Sequence, residues 1–220
     1  ALTNNRDWLR TATPAEIITE SPPAGTVYLP DCSYREMTEW ALPVEKQSAY
    51  DSIVHELQSD SRWPQIRPFL RGGYWRNFRV KYSEANEMYC RMLEVSRRLE
   101  FARRSSHDKD LIKTAEEHLY RAQCNCPYWH GAFGGIYLPH LRNATYKELI
   151  AADNAIDRMS GLSGEWVEVS TDDFDKDLFP EVRLSNDQLI AYFAPARGGM
   201  LYELDVRGIE HNLLATIQRR

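Results

Sequence analysis

Gln123, Asn125, Tyr128, Trp129 and His130 fall within eight residues and bring together two flat aromatic rings, two amides and an imidazole. Rings that stack, with hydrogen-bonding groups around them, suit a ligand that has a flat apolar face and a rim of hydroxyls, as a sugar does. The same residues also read as a plug, with Tyr128 and Trp129 closing the end of a helical bundle. They sit in the segment Arg121 to Asn143, which carries Gly131, Gly134 and Gly135 between Pro127 and Pro139. A long, aromatic, glycine-hinged loop is more often a binding surface than a linker.

Other spacings point to metal. Asp173, Asp175 and Asp177 alternate, with Glu181 following, and alternating carboxylates before a strand can wrap calcium. Leu178 holds the sixth position, where such a turn normally uses glycine, and the competing reading is a plain acidic loop. His118, Cys124, Cys126 and His130 place four ligand types within thirteen residues. One residue between two cysteines is an uncommon start for a structural zinc site, so zinc is the weaker reading. Glu36 and Glu39 lie one turn apart on one helix and read as a solvated or capping pair. No nucleophile elbow, phosphate loop or dinucleotide fingerprint occurs, so no complete active site is expected.

The bulk properties narrow the classes. A net charge of −5 and a pI near 5.7 argue against nucleic acid as a partner. The basic stretch from Arg62 to Arg104 collects its arginines near a helix C-terminus, where the dipole favours cations. No run of 18 apolar residues exists, which excludes a helical membrane span. The polar start, ALTNNRDWLR, lacks the apolar stretch of a signal peptide. Cys32, Cys90, Cys124 and Cys126 do not form a disulfide framework, and a cytoplasmic location follows as the expectation. Asp7-Trp8-Leu9 looks like the middle of an element, so a longer parent chain is expected.

The elements that must hold these residues are mainly helical. Thr13-Pro14 starts a short helix, and Thr26 to Pro30 is strand-like. Ser33-x-x-Glu36 reads as a capping box, opening a helix through Met37, Trp40 and Ala41. Phe78, Tyr82, Ala85, Tyr89, Met92, Ser96 and Leu99 repeat at helical spacing, predicting one long helix from about Trp75 to Arg104. Asp108 caps a second helix with Leu111, Ile112, Ala115, Leu119 and Ala122 inward, and a third runs from about His140 to Met159. After Ser160 to Gly164 the period becomes two, with strands at Trp166–Val169, Glu181–Leu184, Leu189–Phe193 and Met200–Val206. The expected fold is a three-helix bundle followed by an incomplete antiparallel β segment, α+β overall. The expected divisions are a linker over 1–43, the bundle over 44–160, and the start of a β-sandwich-like domain over 165–220.

Three stretches resemble one family. Ala122 to Gly131 with Phe133 to His140, the run PAGTVYLPDCSYREMTEWALP, and Arg71 to Phe78 are similar to segments of glycoside hydrolase family 57, in the branch of 4-α-glucanotransferases and α-amylases. The family's Asp is Cys126 here, and Cys32 replaces a small residue. The resemblance implies a central helical domain and the start of a C-terminal β-domain, packed beside a catalytic barrel that supplies both catalytic carboxyl groups and is missing from this stretch. It implies that Trp129 and His130 reach the sugar site of an enzyme acting on α-1,4-glucan or maltooligosaccharide by a retaining mechanism. Arg76 and Asn77 would then face the loop and brace it; alternatively Trp75 and Phe78 are core and Arg76 is a surface cation. A different class of reading, a free-standing helical module that binds carbohydrate or protein without catalysis, rests on the absent carboxylate pair.

Overall fold

The helical part forms around small residues that let three helices approach closely. A computed structural model describes residues 2–28, 33–70, 72–130 and 133–218. Residues 1–31 and 32–220 form two compact units. In the first, α1 (Pro14–Glu20) starts as its sequence dictates, with the Thr13 side chain and Glu16 closing a capping box. Thr26 to Tyr28 is irregular, while Leu29, Pro30 and Cys32 lie outside the described residues.

In the second unit α2 (Arg35–Ala41), α3 (Val44–Gln58), α4 (Trp63–Ile66) and α5 (Trp75–Lys81) lead into α6 (Ser83–Ser105), α7 (Lys109–Ala122) and α8 (Pro139–Met159). The last three make the expected bundle. Val95, Leu99 and Ala102 of α6 meet Ala115, Leu119 and Ala122 of α7 and Leu149, Ala152, Ala155 and Ile156 of α8 in one buried core. Asp108 caps α7 by accepting from the amides of Asp110 and Leu111. At the other end, Met37, Phe78, Tyr82, Ala85, Met88, Tyr128, Ile136, Tyr146 and Ile150 form a second core under the aromatic loop.

Two helical expectations fail. The helix over Trp75 to Arg104 is broken at Tyr82 (φ −119°, ψ 97°), which ends α5 and precedes α6. The break is held from outside the helix. Lys81 donates to the carbonyls of Trp40 (3.0 Å) and Leu42 (2.6 Å), and the Tyr82 hydroxyl accepts from Tyr137 at 3.0 Å. Such partners outweigh the modest propensity of a continuous turn. Ser33 does not cap α2 either, because Tyr34 is the cap residue and makes no side-chain cap bond.

The sheet is a five-stranded antiparallel meander: β1 (Val167–Asp172), β2 (Glu181–Asn186), β3 (Leu189–Ala194), β4 (Met200–Val206) and β5 (His211–Asn212). Asn186 accepts from the Gln188 and Leu189 amides at the β2–β3 turn, and Gly198 and Gly199, both at positive φ, turn β3 into β4. On β2 and β4 the amphipathicity is inverted. Glu181, Arg183, Ser185, Glu203 and Asp205 are buried, while Val167, Val169, Leu184 and Leu189 are exposed.

Behind the charged face lies a buried ion cluster between sheet and bundle. Arg91 of α6 donates to Glu203 (2.7 Å) and Asp205 (3.4 Å) of β4 and to Asp153 of α8. Arg98 bridges Asp153 and Asp157, and Arg207 reaches Asp157 at 2.7 Å. Arg183 lies beside Glu94 and donates to the Tyr192 hydroxyl, which donates in turn to Glu94. Four guanidiniums thus face five carboxyls: Glu94, Asp153, Asp157, Glu203 and Asp205. One proton would balance them. Burial, then the Asp205 carboxylate, pushes the Glu203 carboxyl well upward, which makes Glu203 the place for that proton. Burial would raise Asp153 as well, but Arg91, Arg98 and Arg183 overcome it and hold this carboxyl well below its usual range.

Removing one partner from such a cluster leaves buried charge without a counterion. Asp153→Ala should therefore lower the unfolding free energy by about 3–5 kcal/mol in urea titrations, and a loss under about 1 kcal/mol would contradict this assignment. The Asp153 contribution, from a depressed carboxyl, is present above pH ~3.9 and is lost as pH falls. Glu203 has the opposite sign. Its raised carboxyl opposes folding increasingly as pH climbs from ~4.3. Glu203→Gln, which keeps an acceptor for Arg91, should gain stability relative to the parent as pH rises, read from urea midpoints between pH 5 and pH 9. A constant difference would refute the raised Glu203 carboxyl.

Candidate functional site

The loop between α7 and α8 is built as two short 3₁₀ turns, Cys126–Tyr128 and Gly135–Tyr137. Its backbone is fixed at several points. The Tyr128 hydroxyl donates to the Ala122 carbonyl (2.7 Å), Trp75 Nε1 donates to the Tyr128 carbonyl (3.0 Å), and the Ile136 amide donates to the Trp129 carbonyl (2.8 Å). Arg142 of α8 donates to the Ile136 carbonyl at 2.6 Å. Gly135 (φ +46°) is obligatory, because a Cβ there would stand 2.2 Å from the carbonyl oxygens of Trp129 and His130. The hinge suggested by three glycines is thus, among the described residues, a tight bend that lets two backbone stretches touch.

Trp129 is half-buried in an aromatic group. The Tyr34 ring stacks on it at 5.4 Å and the Trp40 ring meets it edge-on at 5.1 Å. The His130 imidazole stacks on Trp40 at 4.6 Å. Two cavities adjoin this group. The first, about 320 Å³, is walled by Tyr34, Met37, Trp75, Tyr89, Tyr128 and Trp129, with Ser33, Gln123 and Asn125 supplying polar groups. The second, about 240 Å³, is lined by Trp40, Gln47, Lys81, Tyr82, His130 and Tyr137. Trp129 lines the first, and its Nε1 is buried and makes no hydrogen bond. A buried indole N–H without a partner carries a desolvation cost.

The residues singled out from the sequence divide into groups. Gln123, Asn125, Tyr128 and Trp129 line one cavity, and His130 lines the other. Tyr128 is buried and its hydroxyl is occupied by Ala122, so only its ring faces the cavity; burial also pushes that hydroxyl well above the usual range. Arg76 and Asn77 are exposed and line neither cavity. Arg76 lies over the Tyr74 ring instead, and the bracing expected of this pair is done by Trp75. His118 pairs with Glu148 (2.6 Å), and Cys124, Cys126, His118 and His130 do not gather into a ligand set. Other wall residues were not picked out as site residues, Tyr34, Trp40 and Tyr89 among them. Trp40 lies on a short helix read only for its apolar spacing, and its contact with both Trp129 and His130 is a tertiary fact.

The aspartate loop forms a separate place. A carboxylate oxygen from each of Asp173, Asp175 and Asp177 lies within 4.8 Å of the others. Glu181 is not part of that group, because its Oε2 accepts from the amides of Phe174 (2.8 Å) and Asp175 (3.3 Å) and braces the loop from below.

Comparison with known proteins agrees with this arrangement. Residues 73–156 match the family model of the α-amylase/4-α-glucanotransferase middle domain, and residues 173–220 match the C-terminal domain of the same family. The chain is 39% identical over 206 residues to a 4-α-glucanotransferase of Thermococcus kodakarensis, an alignment covering 94% of this chain and 29% of that protein. It is 39% identical over 205 residues to an α-amylase of Pyrococcus furiosus, covering 93% of this chain and 29% of the relative. The crystal structure of 4-α-glucanotransferase from Thermococcus litoralis superposes with a TM-score of 0.72 at 36% identity, covering 95% of this chain and 30% of that one. The chain thus spans under a third of the length of these relatives. It belongs to the α-amylase/4-α-glucanotransferase family, of which it carries the middle domain and C-terminal-domain sequence.

Proposed function

We propose that this chain is the non-catalytic portion of an enzyme that processes α-1,4-glucans, and that the Trp129 cavity lines its sugar-binding cleft. The observation that carries this reading is the aromatic-walled cavity bounded by Tyr34, Trp75, Tyr89, Tyr128 and Trp129 and rimmed by Gln123 and Asn125. A glucose ring offers an apolar face to such walls and hydroxyl groups to the amides. His130 supplies a further contact through the second cavity. The names of the relatives, glucanotransferases and α-amylases, support an α-glucan as substrate.

In this reading cleavage proceeds by retaining double displacement, with nucleophile and proton donor on a catalytic barrel of the parent enzyme. Glu36 and Glu39 share the short helix α2, where Glu39 is paired with Arg35 at 3.8 Å. Their role here is structural. The cytoplasm remains the proposed setting, supported by the exposed free thiols of Cys124 and Cys126.

The test is calorimetric titration of the chain with maltooligosaccharides, followed in parallel by tryptophan fluorescence. Trp129→Ala should weaken binding at least about tenfold, or ~1.4 kcal/mol, and in a full-length enzyme should lower transfer activity. Unchanged kinetics in the full-length variant would refute the cleft-lining role.

A further inference from the structure

The β1–β2 connection holds more carboxylate than its surroundings neutralise. Asp173, Asp175 and Asp177 converge there, with a carboxylate oxygen of each within 4.8 Å of the others. Oxygens bound to one calcium ion at about 2.4 Å lie no farther apart than about 4.8 Å, so the three fit one coordination sphere. Arg197 takes one oxygen of Asp175, Oδ2, at 3.1 Å, while Lys176 is turned to the Asp173 carbonyl at 2.5 Å. The other oxygen of Asp175, Oδ1, is buried with no hydrogen-bond partner, in a residue only 6% exposed. A buried carboxylate oxygen left without a donor carries the full cost of desolvation unless something positive meets it.

We propose that the segment Asp173 to Asp177 is a calcium site, in which the carboxylates of Asp173, Asp175 and Asp177 are protein ligands and water completes the shell. Hard oxygen donors from a loop without regular secondary structure suit calcium, which accepts irregular shells of six to eight oxygens; magnesium demands a near-ideal octahedron. The loop is also a joint. The Asp175 carbonyl accepts from Asn86 (2.6 Å) and Cys90 (3.4 Å) of α6, and Arg197 ties Asp175 to Glu87. Calcium here clamps the sheet to the longest bundle helix.

The experiment is calorimetric titration of the EDTA-treated 220-residue chain with calcium chloride, with thermal unfolding as a second readout. One ion per chain should bind in the micromolar to millimolar range, and the midpoint should rise with calcium. Asp177 is exposed, and its Oδ1 accepts from the Phe179 amide, a bond that asparagine retains. Asp177→Asn should therefore fold normally by circular dichroism yet bind calcium about tenfold more weakly, and Glu165→Gln should bind like the parent. No saturable heat up to about 10 mM calcium would overturn the proposal. So would equal calcium affinity in Asp177→Asn and Asp173→Asn, or magnesium binding as tightly as calcium.

Discussion

The structure depends on the guanidinium of Arg91. It is 3% exposed, sits mid-helix on α6, and is met by carboxylates from α8 and from β4. No apolar contact could do the same work, because the sheet offers this side of the bundle few apolar residues: Ile190, Tyr192 and Ala194 lie among Glu181, Arg183, Glu203 and Asp205. Charges in such a place fix relative position more than they add stability. Their desolvation cost is large, and only the arrangement that pairs them all recovers it. Sheet and bundle consequently pack in one compact unit.

That fixed frame is what allows the aromatic loop to be rigid. Arg142 on α8 and Trp75 on α5 each donate to a loop carbonyl, and both helices belong to the core beneath. Trp40 then touches both the Trp129 and the His130 rings. These neighbours in sequence line different cavities.

Much of this was legible in the residues themselves. The bundle followed from apolar periodicity, the α7 cap from Asp108, and the hairpins from Asn186 and from Gly198-Gly199, since each is a local rule acting on local residues. The break at Tyr82 was not legible: no glycine or proline marks it, and its causes are Lys81 reaching Trp40 and Leu42 and Tyr82 meeting Tyr137. For Arg76 and Asn77 the sequence left two readings open, and the structure has the second, with Phe78 buried, Trp75 packed on the core and Arg76 exposed. The ion cluster joins residues separated by as many as 114 positions, a pairing that no local pattern announces. The dipole at a helix C-terminus accounts for none of its burial, since Arg91, Arg183 and Arg207 are all buried.

The inversion on β2 and β4 has a consequence for how these strands find their register. Shifting a strand by one residue exchanges its two faces. In most half-buried sheets such a slip is penalised because it throws apolar side chains into water. Here it would do the reverse, turning Val182, Leu184 and Leu204 toward the helices and Arg183 and Asp205 outward. Hydrophobic burial therefore competes with the native pairing, and the correct alignment must be enforced by the ionic partners that a slipped strand would abandon on α6 and α8. This is local frustration resolved by charge geometry, and it makes the bundle the template on which the sheet is aligned.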